Sequence, residues 1–338
     1  MKRLPAALAA LLLLLLSGCG GTEGADMSSF APAEEDRLVI YTSHPASLYE
    51  PVIKEFEERT GIWVQVETGG TAALLDRLEE ERDEPRCDLL FGGGADSLTA
   101  RKELFACYTS PLAEDVVPGL LCEDGSWTPF SSLPVVMIYN PVLVRMNPPE
   151  GWESLLNQVW QGRIAFAGPE TSGFSYTALA TLTQVLGRED VLETFYNNLN
   201  GRTLSGLGDV VDAVSDAVAE GSCAIGVTTE AAALEAVQAG RDVAMLYPKE
   251  GTSVVADGLA VIHGCAHEEN ARRFIDFALS ADVQRYAARE CLRRPVRADL
   301  LQSAEETEGL VLMEYDLDKA AAEREAVLAR WRELEAAS

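Results

Sequence analysis

The chain has 338 residues, 47% of them hydrophobic, enough for a large core shared between two lobes or domains. Its formal net charge of −27 argues against nucleic acid as a partner, and an anionic ligand would have to be held by local donors against an unfavourable overall field. His44, His263 and His267 lack zinc-ligand spacing and no Cys-x-x-Cys occurs, so neither a metal site nor any cofactor is expected.

Lys2 and Arg3 precede a Leu-rich run from Leu8 to Leu16, closed by Ser17-Gly18-Cys19. The run is short for a membrane span and has the form of an export signal. Cys19 after Leu-Ser-Gly resembles the bacterial lipobox, which implies a lipoprotein signal peptide over residues 1–18 and lipidation of the Cys19 thiol. A plain cleaved secretory signal is the alternative. Residues 19–36 are small, polar and acidic, and read as a flexible tether. Cys87, Cys107, Cys122, Cys223, Cys265 and Cys291 follow, an even number that permits disulfides in an exported chain. Cys107–Cys122 and Cys265–Cys291 are the expected pairs, because each brackets a compact local segment; Cys87 and Cys223 stay unassigned.

From Arg37 onward strands alternate with helices. A strand at Leu38–Tyr41 ends in Thr42-Ser43-His44-Pro45, and Leu48, Val52, Ile53 and Phe56 then follow helical spacing. Ile62, Val64 and Val66 make a strand that runs into Gly69-Gly70-Thr71 and a helix over 72–82. A third strand over 88–91 runs into Gly92-Gly93-Gly94 and another helix. This order predicts a parallel sheet with right-handed crossovers, whose ligand-binding loops lie at the strands' carboxyl ends. Residues 106–132 read as irregular, and the apolar run 134–140 as a crossing into a second lobe. There a helix is expected over 152–160, then strand 164–167, turn 168–173 and a long helix. That turn leaves unpaired amide N–H groups at a helix start, where Ser172 or Ser175 can cap and Gly173 admits a guest close to the backbone. Further on come helices over 191–199 and 210–219, strand 224–227, loop Thr228-Thr229-Glu230, a helix to Ala239 and strand 243–246. The extended stretch 253–262 would carry the chain back. Helices over 268–279 and 282–290, the basic loop 293–297 and a last helix over 317–337, expected to dock on the first lobe, complete the chain.

YTSH, GGTAALLDRL, DLLFGGGADSL, YNP, PETSGFSYTALATL, AHEENARRFIDFALSADVQ and RRPVRADL, in this order over nearly all of residues 37–335, resemble the solute-binding proteins of bacterial ABC importers, family 1, ferric-ion/phosphonate type. The resemblance implies an α/β, two-lobed periplasmic-binding-protein fold of type II. Each lobe would be a mixed, mostly parallel sheet flanked by helices, and hinge strands would join them. The expected bounds are 37–136 with 256–338 for lobe 1 and 137–255 for lobe 2. It also implies a monomer, ABC permease subunits as partners, no enzymatic activity, and a lipid-anchored place on the extracytoplasmic face of the cell membrane. Ferric binders of this group typically carry adjacent tyrosines where this chain has Thr228-Thr229, and hydroxyls do not supply the charge a hard trivalent cation needs. Hydroxyls and backbone N–H groups at helix starts suit phosphate or phosphonate oxygens. Ser43, His44, Gly70, Thr71, Gly94, Ser172, Gly173, Phe174, Ser175, Thr228 and Thr229 are therefore the expected contacts to a small anionic solute. Phe174, Tyr176 and Arg294 are candidates for its non-phosphate part, and Glu230 for an ammonium group. The alternatives are ferric-ion capture without a tyrosine pair, a secreted hydrolase built on His44 or His263, and presentation of ligand to a receptor.

Overall fold

The computed structural model describes residues 32–204, 210–301 and 309–337. The fold below is that of the compact unit Asp36–Ser338. Cys19 and the signal expected over 1–18 lie outside the described residues.

The chain enters through β1 (Arg37–Thr42), α1 (Ala46–Thr60), β2 (Trp63–Thr68), α2 (Thr71–Glu80), β3 (Leu89–Gly94) and α3 (Ala95–Thr99). β1 pairs in parallel with β2 on one side, Ile40 opposite Val66, and with β3 on the other, Ile40 opposite Leu89. Both faces of β1 are covered. Leu38 and Ile40 point into a cluster with Phe56, Phe91 and Phe274, and Tyr41 into another with Leu75, Leu90 and Leu98. Alternation along the strand produces this division, and burial on both faces explains the nearly continuous apolar run.

After β4 (Phe105–Ala106) comes β5 (Thr128–Tyr139), whose twelve residues serve two sheets. Thr128–Pro134 pairs antiparallel with β9 (Val254–Ile262), and Val135–Tyr139 with β7 (Ile225–Thr229). The second half also pairs with β8 (Ala244–Leu246), and β6 (Ile164–Ala165) joins β7 in parallel. Val135 and Met137 face a core holding Trp152, Phe166 and Phe195, while Val136 and Ile138 face one holding Val214 and Val218. Around this sheet lie α4 (Gly173–Leu186), α5 (Val191–Leu199), α6 (Val210–Ala219) and α7 (Glu230–Gln238). β9 returns the chain to β3, and α8 (Glu268–Ala278), α9 (Ala281–Glu290) and β10 (Arg294–Pro295) follow. β10 pairs with the Ser131–Ser132 part of β5.

Several expectations are corrected. The stretch 152–160 is two short 3-10 segments, Trp152–Leu156 and Gln158–Trp160, broken where the Asn157 side chain accepts the Val159 N–H. The last helix, α10 (Leu317–Ala337), does not dock on the first lobe alone. It passes α3, but Trp331 is fully buried beside Phe166 and Tyr196 of the second lobe. Neither expected disulfide is formed, and all six described cysteines are free. Cys122 Sγ is directed at the Asp124 carboxylate and the Ser126 hydroxyl. Cys265 and Cys291 both pack against one first-lobe core, and Cys291 also lines the opening between the lobes.

Candidate functional site

A cleft of about 810 Å³ opens between the lobes. Its first-lobe wall is made by chain reversals after β1 and β2. At the end of β1 the Thr42 hydroxyl donates to the Phe91 carbonyl, 2.7 Å, and accepts the His44 N–H, 3.1 Å. The turn is thereby folded back, and Ser43 and His44 line the cleft. Gly92 allows this, since its φ is +116° and a Cβ there would stand 2.5 Å from Ser43 Oγ. After β2, the Gly69 N–H bonds to the Thr42 carbonyl, 3.1 Å, which brings the start of α2 alongside.

The second lobe contributes two capped helix starts. Ser172 Oγ accepts the Ser175 N–H at the start of α4, and Thr229 Oγ1 accepts the Ala232 N–H at the start of α7, both at 3.2 Å. These caps satisfy one donor each and leave the earlier amides of each first turn to a guest. The lobes touch beside them. A Cβ on Gly70 would lie 2.5 Å from the Thr171 carbonyl oxygen, so glycine alone permits this approach.

Ser43, His44, Gly70, Thr71, Gly94, Ser172, Gly173, Phe174 and Thr229 all line the cleft. Ser175 and Thr228 do not: Ser175 is buried in the first turn of α4, and Thr228 is buried in β7 opposite Val136. Tyr176 turns away, its hydroxyl bonding the Ala320 carbonyl of α10. Arg294 and Glu230 satisfy one another: the guanidinium meets both carboxylate oxygens at 2.6 and 2.7 Å, and Tyr247 also donates to Glu230. The position expected to receive a ligand ammonium is thus filled by the protein's own cation.

The floor of the cleft holds groups that the sequence reading passed over. Asp257 of β9 is buried, and its Oδ1 accepts the Ser131 N–H at 2.8 Å and hydroxyl at 2.6 Å. Its Oδ2 accepts from Arg293 Nη1 at 2.7 Å. Burial pushes the Asp257 carboxyl up, and Arg293 pulls it back down. His44 Nε2 lies 3.5 Å from the same Oδ2, has no partner and is buried. Burial, then the Arg293 charge, holds this imidazole well below its usual 6.5, so the contact is not an ion pair at neutral pH. Phe91 meets the ring edge-on at 4.5 Å.

Asp96, the second residue of α3, is a further buried carboxylate. It accepts from Thr177 of α4 at 2.7 Å and Tyr315 at 2.8 Å, tying the lobes together behind the cleft. Among the described residues, no group of three or more His, Cys, Asp or Glu could hold a metal ion.

Residues 84–317 match the family model described as bacterial extracellular solute-binding protein, and the chain belongs to that family. The periplasmic binding protein AfuA of Actinobacillus pleuropneumoniae, solved with fructose 6-phosphate bound, is 25% identical with a TM-score of 0.81, covering 89% of this chain and 99% of that one. Iron uptake protein A1 of Synechocystis is 25% identical over 84% of this chain and 82% of its own length. A Salmonella typhi protein named as a candidate 2-aminoethylphosphonate-binding periplasmic protein is 20% identical over 85% and 88%. The fold is that of type II periplasmic binding proteins, and the family places the chain outside the cytoplasm as a binding protein of ABC importers.

Proposed function

We propose that this chain captures a small organophosphate or phosphonate in the interlobe cleft and delivers it to an ABC permease, acting as a monomer anchored through a lipid on Cys19. The observation that carries the reading is the gathering of helix starts from both lobes, Thr71 of α2, Gly173 of α4 and Thr229 before α7, with Ser43 beside them, on one cleft. Unpaired amides and hydroxyls at such starts match phosphoryl oxygens and need no metal. The fructose 6-phosphate bound to AfuA and the phosphonate in the Salmonella protein's name point the same way.

The name of the Synechocystis relative favours iron as a second reading. The cleft lining weighs against it, because Tyr49 is its one described tyrosine. Melting the protein with fructose 6-phosphate, 2-aminoethylphosphonate and ferric citrate separates the readings. A ligand at about 100 times its Kd adds roughly 2.7 kcal/mol of stability. A shift with either phosphoryl compound and none with iron is expected; a shift with ferric citrate alone, or with none of the three, overturns the reading.

A further inference from the structure

Taking the phosphoryl ligand proposed above as given, we infer that Arg293 is the specificity-determining contact for its charge, with Asp257 and Ser131 as the groups that aim it. The cleft is lined by Glu170, Asp212, Glu235, Asp257 and Glu290, and Arg293 is the one lysine or arginine among the described lining residues. Glu170 is paired with Arg332 outside the cleft at 2.6 Å, and Asp257 with Arg293. A phosphate dianion entering this lining meets mostly like charge, and helix amides supply partial charge only. A full positive charge at the floor decides whether such a ligand stays.

The side chain is placed for that task. Both of its polar contacts, to Asp257 at 2.7 Å and to Ser131 Oγ at 3.2 Å, use Nη1. A guanidinium has five N–H donors in a fixed fork, so the other edge remains for a guest. Asp257 is itself fixed by two bonds from Ser131, which keeps the fork from swinging. Beside it stands the unpartnered, buried His44 Nε2, close to the carboxylate oxygen that Arg293 grips. Both nitrogens face the Asp257 carboxylate, so it is the open edge of the guanidinium that a group with several acceptor oxygens and a negative charge can engage. That chemistry is a phosphate monoester or a phosphonate, and the uncharged form of the same solute lacks it.

Titration calorimetry on the full chain tests this with fructose 6-phosphate, 2-aminoethylphosphonate and fructose, at low and high salt. Wild-type protein is expected to bind a phosphoryl ligand and to ignore fructose. Arg293→Met weakens phosphoryl binding by about 30-fold and flattens its salt dependence; Arg293→Lys recovers part of the loss, since it keeps the charge but not the fork. Arg293→Met leaves Asp257 buried and unpaired, so the double variant Arg293→Met/Asp257→Asn is measured beside it. It is expected to melt near the wild type and still bind weakly. Phosphoryl affinity within about threefold of wild type in the double variant, or an unchanged salt dependence in Arg293→Met, overturns the role of Arg293 while the organophosphate reading stands. Wild type that binds neither phosphoryl compound overturns both.

Discussion

His44 stays neutral because the fold removes it from water, and this has a consequence for stability. Its folded pKa lies well below the 6.5 of an exposed imidazole, through burial first and Arg293 second. As pH falls through 6.5 the unfolded chain takes up a proton that the native chain refuses. The native state therefore loses stability with acidification, by up to about 1.4 kcal/mol per pH unit, until the folded pKa is reached. Asp257, pushed up by burial, acts in the opposite sense at lower pH. Urea midpoints at pH 7.5 and 5.5 for wild type and His44→Gln should show a shallower decline in the variant, by about 1 kcal/mol. Equal declines would mean that the imidazole is protonated in place. Residue by residue, the cleft was legible where a strand end or helix cap fixes the side: Ser43, Thr71, Ser172 and Thr229 all face it. It was illegible where one position reverses the direction. Arg293 lines the cleft while Arg294, its neighbour in the basic loop, reaches Glu230 on α7. Adjacent residues of extended chain point to opposite sides, and composition alone does not say which arginine faces the guest.

At the scale of elements, α10 shows what periodicity gives and what it withholds. Its apolar positions identify the helix, yet they do not name the surface that receives it. Ala320 and Leu328 meet Tyr176 and Ala180 of α4, and Trp331 lies against Phe166 and Tyr196, with centroids 6.1 and 5.0 Å away. The chain thus closes against both lobes, on α3 of the first and on α4 and α5 of the second, although the strand before it, β10, belongs with the first-lobe half of β5. Sequential order had suggested the first lobe alone. Because Trp331 is fully buried among aromatic rings, Trp331→Ala opens a cavity that these rigid neighbours fill poorly. A loss of about 3–5 kcal/mol is expected in urea unfolding. A loss below about 1 kcal/mol would show that α10 is peripheral to the second-lobe core. The stretch 152–160 failed for a different reason. Its apolar spacing is helical, but Asn157 bonds the local backbone and divides it into two 3-10 turns.

Over the whole molecule the two lobes share one long strand, β5, and the crossing near residue 134 was legible as an uninterrupted apolar run. Contacts between the lobes were not, because pairs such as Gly70 with Thr171 are remote in sequence and leave no periodic mark. The Glu230–Arg294 pair is one such contact. It joins the start of α7, in the second lobe, to β10, which lies on the first-lobe half of β5. Both side chains are largely buried, at 5% and 14% exposure, so each charge depends on the other. Removing one partner leaves the second desolvated and unpaired, which costs about 3–5 kcal/mol. Replacing both with apolar groups removes the desolvation cost together with the attraction and is often neutral. Glu230→Leu should therefore destabilise strongly, and Glu230→Leu/Arg294→Leu should recover most of the loss. The tie also spans the join between the lobes, so cutting it should widen the range of interlobe angles even in the double variant. Small-angle scattering of the unliganded double variant is expected to give a larger radius of gyration than wild type. Recovered stability with an unchanged radius would confine the pair to local packing and leave the set of the lobes to Asp96, Thr177 and the shared strand β5.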